Sequence, residues 1–524
     1  MTNHYNVIDH GARGDGVTLE TQFLQGIIDR CFEAGGGIIY FPPGIYLTGT
    51  LFLKSCITIH LEGGAVLKAS PNRSDYPLLG IWCEGRDTAM LVARDQKDIC
   101  ICGQGVIDGN GDGFFELDQP GIEADLNPTL VRQGAAYMEK PHGVEDGPVK
   151  VRVFDQGELR YGTVALFINC ERLTFRDFRL VGAPNWALHL AGCRYATITN
   201  LIVRNSLLFP NADCIDIANS QHVTITGCLL EAGDDGIAIT PCADGYHLSA
   251  SEHIVVSNCT IISRSCAIRV GYGIEPLRNC IFSNLVIHSS NRGIGIFIRN
   301  GQVLENVLFS DIIIETRLHT GWWGNGEPIH ISAINGYTED KNLGTIRNIR
   351  FRNITARSEN GILIYGADHP GNPFPIQDIS FDGIKLEIVP GRLNDRYGGN
   401  IDLRPVDNET FKVFKSDLPG IYAKNVKGLE IRNCELTWVG EPASYFTNGL
   451  LCENCSSVDI DNLKASAAQD CEAVVKIHGG EDHLIRNTIA RKGSNPFLAT
   501  LSLGKAVKLV NNDLSEAVIE QVAL

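Results

Sequence analysis

Short segments in which apolar residues alternate with polar ones punctuate the chain: LTFRDFRL (173–180), ATITNLIV (196–203), VTITGCLL (223–230), IVVSNCTI (254–261), NVLFSDII (306–313), IRFRNITA (349–356), ISFDGIKL (379–386), LEIRNCEL (429–436) and VDIDNLKA (458–465). A period of two, rich in β-branched residues and usually carrying Asn, Asp or Gly near the end, predicts strands closed by tight corners. The first four segments begin at 173, 196, 223 and 254, in steps of 23, 27 and 31 residues, too irregular and too β-branched for a helical solenoid. Strands that cannot bury an apolar face alone must stack on neighbouring repeats, so the pattern predicts an all-β fold, a parallel β-helix with one coil per repeat. Adjacent coils lie about 4.8 Å apart, which lines up equivalent positions as ladders. Cys228, Cys259 and Cys434, following Gly227, Asn258 and Asn433, are expected as small inward-facing rungs.

TLETQFLQGIIDRCFE (18–33) instead has helical apolar spacing at Phe23, Ile27, Ile28 and Phe32 and runs into Gly35, Gly36 and Gly37. It predicts a capping helix within an N-terminal cap of residues 1–40. Residues 110–165 and 390–425 break the rhythm and are expected as loop insertions that wall a binding face. The expected organisation is a single β-helix domain over residues 1–524.

Composition narrows the function. The 44% hydrophobic and 20% charged content and the lack of a membrane-length apolar run exclude an integral membrane protein built of helices. A net charge of −16 excludes sequence-independent binding to nucleic acid, which needs a basic surface. The start, MTNHYNVIDHGARGDG, lacks the basic and apolar regions of a secretory signal, and the 17 cysteines are odd in number and scattered. Both point to the cytoplasm and to reduced thiols. Cys452-x-x-Cys455 has no second pair at zinc spacing, so no metal is expected.

The candidate chemistry is acidic. Aligning NADCIDI, GDDGIAI and SCAIRVG on their alternating apolar residues puts Asp213, Asp235 and Cys266 in one column, with Asp234 beside it at the preceding corner. Asp next to Gly is ordinary turn chemistry, but a matched Asp one coil earlier is not explained by a turn. Three carboxylates this close cannot all ionise freely, so at least one pKa should rise. A protonated acid beside ionised carboxylates is what glycoside hydrolysis needs, one to protonate the leaving oxygen and another to activate water.

At these residues the sequence resembles glycoside hydrolase family 28, the polygalacturonase family of right-handed, pectin-lyase-like parallel β-helices. The resemblance extends from GARGDG (11–16) through GGGIIYFPPGIYLTGTLFLKSCITIHLEGGAVLKAS (35–70) and APNWALHL (183–190) to the acids. The family's Asn-x-Asp motif matches Asn211-Ala212-Asp213, and its Gly-Asp-Asp motif matches Gly233-Asp234-Asp235. The resemblance implies an inverting mechanism, with Asp234 as general acid and Asp213 and Asp235 holding and deprotonating the water. Trp186 and His189 lie in a stretch similar to one near the family's active site, which makes His189 a candidate neighbour of the site. Two family motifs are replaced: Gly-His-Gly falls on Ser265-Cys266-Ala267, and the carboxylate-binding Arg-x-Lys falls on Gly295-Ile296-Phe297.

Arginines in nearby columns are candidate substitutes for that clamp, Arg269 one coil before Gly295 and Arg292 one coil after Cys266, with Arg404 a weaker one. In HTGWWGNGEPIHIS (319–332), Trp322 or Trp323 offers a ring to a sugar face, and Glu327 and His330 could bind hydroxyls. The expected enzyme is an exo-acting glycosidase on pectin-derived or related oligosaccharides, working without a cofactor. Rival readings are a lyase or epimerase on the same fold, and a non-catalytic carbohydrate-binding β-helix. The sugar, the linkage and the oligomeric state are not legible.

Overall fold

The computed structural model describes residues 3–80, 87–114, 160–242, 247–319, 323–336, 342–406, 413–468, 473–490, 496–501, 507–517 and 521–523. The fold is all-β, a right-handed parallel β-helix. Two compact units divide the chain, one of residues 1–122 and 150–263, the other of residues 123–149 and 264–524.

In the first unit each coil is three short strands, as in Leu188–Ala191, Arg194–Thr199 and Ile202–Arg204. The repeat segments run across a corner rather than ending at one: Asp177, Asn200 and Gly227 adopt left-handed backbone between the second and third strands of their coils. Residues with short polar side chains, or none, tolerate that conformation. The coils stack in register, Leu173 on Ala196, Ala196 on Val223 and Val223 on Ile254. These residues are buried, as are Cys228 and Cys259.

The helix spans Thr21–Glu33, and its buried stripe is Leu24, Ile27, Ile28 and Cys31. Phe23 and Phe32 are 37% and 45% exposed, a correction to the expected apolar face. The spacing 24, 27, 28 and 31 is one continuous stripe of a 3.6-residue helix, and the two rings flank it.

In the second unit the corners open into long strands, Leu277–Ser290, Val303–Thr316, Thr345–Ser358 and Ile376–Ile388. Phe282, Phe309, Phe351 and Phe381 share one inner rung, with successive centroids 4.8, 5.0 and 4.9 Å apart. On the outside, Asn348 donates to Asn306 and Asn306 to Asn279, through side-chain amides at 2.7 and 3.2 Å. Cys434 is buried as expected. Residues 390–425 hold a short helix, Asn394–Tyr397, and an antiparallel pair, Asn400–Asp402 with Val413–Lys415. Residues 115–159, most of the other irregular stretch, lie outside the described residues.

Candidate active site

The acids sit at a corner of the first unit. Strands Ile215–Ala218 and Ile237–Ile239 pair with Ile215 opposite Ile237 and Ile217 opposite Ile239, so Asp213 and Asp235, each two residues earlier, occupy equivalent places on successive coils. The ladder runs on into the corner, because the Cys214 amide donates to the Asp235 carbonyl and the Ala187 amide to the Asp213 carbonyl. Asn205 holds the same backbone from behind, its side chain donating to the carbonyls of Ala212 and Asp213 at 3.1 and 3.0 Å.

Asp213, Asp234 and Asp235 are each no more than 3% exposed. One carboxylate oxygen from each lies within 4.8 Å of the others. At that spacing two ionised groups repel by roughly 3 kcal/mol at the effective dielectric of a protein surface. The corner is built to hold them regardless. Gly233 must be glycine, since a Cβ there would lie 2.4 Å from both the Phe209 and Ser206 carbonyl oxygens. The Ser263 hydroxyl donates to the Asp234 carbonyl. The Asn211 amide, presented by left-handed backbone, donates to Asp234 Oδ2 at 3.2 Å.

Behind Asn211 lies a residue that the sequence did not single out. Arg160, 4% exposed, donates to the Pro184 and Pro210 carbonyls at 2.8 and 2.7 Å and to Asn211 Oδ1 at 3.0 Å. A fork of fixed donors suits three acceptors drawn from two separated stretches, Pro184 and the adjacent Pro210 and Asn211. No periodicity marks Arg160, and its side-chain partner lies 51 residues away.

His189 pairs in register with Asp216 and meets the Trp186 ring edge-on at 4.9 Å. Burial alone lowers its pKa to about 3, so it is neutral across the working range of any ordinary enzyme. Three carboxylates are a hard, oxygen-only donor set of the kind divalent cations accept, and the same set serves proton transfer without one.

The remaining candidates lie in the second unit. Cys266 pairs with Arg292, and Arg269 with Gly295. Arg269 is 6% exposed, with its guanidinium 5.1 Å from the Tyr272 ring centroid. Arg292 is fully enclosed and donates to the Asp402 and Arg404 carbonyls at 2.8 and 3.1 Å and to Glu327 at 3.4 Å. Glu327 accepts the Asn325 amide at 2.6 Å and faces His330 at 3.6 Å. Burial would raise the Glu327 carboxyl, but Arg292 and His330 hold it below its ordinary value. Burial lowers His330 to about 4.

Arg404 grips Asp402 through both ends of its fork, at 2.9 and 2.7 Å. Asp402 in turn accepts the Gly324 amide at 2.7 Å. These groups join the Asn400–Asp402 strand to the loop carrying Trp323. Trp323 is half-buried, and Trp322 lies outside the described residues.

Residues 161–390, which include all three acids, match the family model "Glycosyl hydrolases family 28". Residues 4–75 match "Rhamnogalacturonase A/epimerase, pectate lyase-like". Over residues 161–390 the chain is therefore similar to the polygalacturonase-type glycosidases of family 28. Among its relatives, "Probable polygalacturonase" of Vitis vinifera is 24% identical over 67% of this chain and 68% of its own length. "Exo-poly-alpha-D-galacturonosidase" of Dickeya chrysanthemi is 28% identical over 44% of this chain and 41% of its own length, so the chain spans less than half of that protein. The family 28 exopolygalacturonase of Yersinia enterocolitica aligns at a TM-score of 0.62 and 18% identity, covering 88% of this chain and 78% of that one.

Proposed function

We propose that the protein hydrolyses a glycosidic bond of pectin-derived or related oligosaccharides, acting from a chain end and inverting the anomeric centre. Asp234 is the general acid, and Asp213 and Asp235 hold and deprotonate the attacking water. The observation that carries this reading is the convergence of three buried carboxylates on one corner, within 4.8 Å, on a chain matching family 28 over the residues that supply them. Glycoside hydrolysis uses one protonated carboxyl and a carboxylate that activates water, and three carboxyl groups at one corner supply that set.

Spacing alone argues differently about stereochemistry. Two-carboxylate inverting enzymes leave about 6.5 Å or more between the groups for water, and retaining enzymes about 5 Å. We adopt inversion because three groups, not two, form this site: water held at the Asp213 and Asp235 pair needs no gap between acid and base. Action from a chain end draws on the two exo-acting relatives by their names.

The test is proton NMR of the first anomer released from an oligogalacturonide series, with absorbance at 235 nm followed in parallel. The expected product is the inverted anomer, shortened from one end, with no rise at 235 nm. Early formation of the retained anomer would overturn inversion, and a rise at 235 nm would transfer the activity to a lyase.

A further inference from the structure

A second cluster of reactive side chains lies on another part of the first unit and shares no residue with the acids. Strand Lys97–Gly103 reads KDICICG. Ile99 and Ile101 fill the core at 1% and 0% exposure, so Cys100 and Cys102, alternating with them, project from the opposite face. Register then sets their neighbours. Cys102 lies between His60 of strand Ile57–Leu61 and Arg176 of strand Glu171–Arg176, and Cys100 between Thr58 and Thr174.

The contacts form a line. Cys102 Sγ is 3.6 Å from His60 Nδ1, and His60 Nε2 is 3.8 Å from Glu62 Oε2. Glu62 Oε2 also accepts the Tyr40 hydroxyl at 3.2 Å. A thiol, an imidazole and a carboxylate in sequence is the arrangement that activates a sulfur nucleophile. Arg176, beside Cys102, is held by Asp177 at 2.9 Å and adds positive charge.

We propose that Cys102 and Cys100 are a redox-active dithiol, in which Cys102 reacts with hydroperoxides and Cys100 resolves the product as a disulfide. The Cys102 thiolate attacks one peroxide oxygen and the O–O bond breaks. This forms a sulfenic acid and expels hydroxide from hydrogen peroxide, or alkoxide from an organic hydroperoxide, which leaves as water or alcohol after taking the proton Cys102 gave up. The Cys100 sulfur then attacks the sulfenic sulfur, the S–S bond forms, and a second water departs with the thiol proton. Two electrons pass from the two sulfurs to the peroxide.

Two residues apart on a strand places the Cα atoms about 6.6 Å apart, inside the upper limit of about 6.8 Å for a disulfide, and the Cβ atoms must close to about 4 Å for the bond to form, which requires the strand to bend at Ile101. Cys102 is lowered to about 6, first by the hydrogen bond from Cys100 and then by His60 and Arg176, against the opposing effect of burial. Cys100, the donor, is correspondingly raised. Cys102 is 3% exposed, and Cys228 and Cys259 repeat its thiol pairing, with Cys259 lowered and Cys228 raised, but their thiols are directed at the Thr226 and Ser257 carbonyls.

The test treats the full chain with hydrogen peroxide and maps thiols by peptide mass spectrometry, while iodoacetamide labelling of Cys102 is followed from pH 5 to 9. The expected results are loss of two hydrogens from the peptide holding Cys100 and Cys102, and a labelling midpoint near 6, against about 8.5 for an ordinary thiol. His60→Gln should move the midpoint up. Cys100→Ser, which leaves His60 in place, should replace the disulfide by a trappable sulfenic acid. A midpoint of about 8 or higher, or a peroxide-treated native protein with both thiols still free, would overturn the proposal.

Discussion

At the residue scale the corner holding Asp234 rests on a few contacts that are each replaceable. Asp234→Asn keeps size and hydrogen bonding but removes the proton donor. Since a positioned acid supplies about 10² to 10⁴ in rate, kcat should fall by about that factor while substrate binding, measured by calorimetry, persists. Arg160 acts through Asn211, whose amide donates to Asp234 Oδ2. That bond favours the ionised carboxylate. Arg160→Met should therefore loosen it, raise the Asp234 pKa and move the alkaline limb of the pH–rate profile upward. A purely structural arginine would lower thermal stability and leave the limb in place. Arg160→Lys, with a point charge instead of a fork, should restore only part of the effect.

Elements show how the fold converts sequence spacing into position. The alternation of Ile215 and Ile217, matched by Ile237 and Ile239, was enough to bring Asp213 and Asp235 together, because parallel register preserves spacing. Arg160 was invisible because its partners are backbone carbonyls and a distant side chain, which leave no periodic trace. The stripe of the capping helix was half legible: Ile27 and Ile28 are buried, but aromatic residues were favoured over Leu24 and Cys31. Gly233 is fixed by close approach of two carbonyls. Gly233→Ala should destabilise by roughly 2 kcal/mol or more, read as a lower urea midpoint, and should displace Asp234.

The strand Asn400–Asp402 carries its own pH dependence. Burial pushes the Asp402 carboxyl up, but Arg404, the Arg292 charge and the Gly324 amide outweigh burial and hold it at about 2. A carboxyl depressed in the folded state stabilises above its unfolded value and loses that contribution as pH falls through the folded one. Its contribution of about 2 kcal/mol should be complete above roughly pH 4 and fade towards pH 2. Unfolding scans of wild type and Asp402→Asn should therefore converge as pH falls to about 2.

Across the whole molecule, the repeat made the β-helix legible, since nine alternating segments have few other ways to bury their apolar faces. The ladder of stacked Phe282, Phe309, Phe351 and Phe381 follows from the same register. What the repeat could not convey is the part played by irregular stretches. Within residues 390–425, Asn400–Asp402 pairs with Val413–Lys415, and Asp402 and Arg404 meet Arg292 and the backbone of Gly324 beside Trp323. Arg292 and Glu327, expected on substrate, are directed at one another and at backbone, which fits them to position that loop.

The role proposed for Asp234 is to protonate the leaving oxygen of a pectin-derived glycoside. It is tested most directly by reducing-sugar release from oligogalacturonides and rhamnogalacturonan fragments, with wild type and Asp234→Asn assayed side by side. The expected result is release by the wild type and a loss of about 10² or more in the variant at unchanged binding. Equal release by both proteins would contradict it.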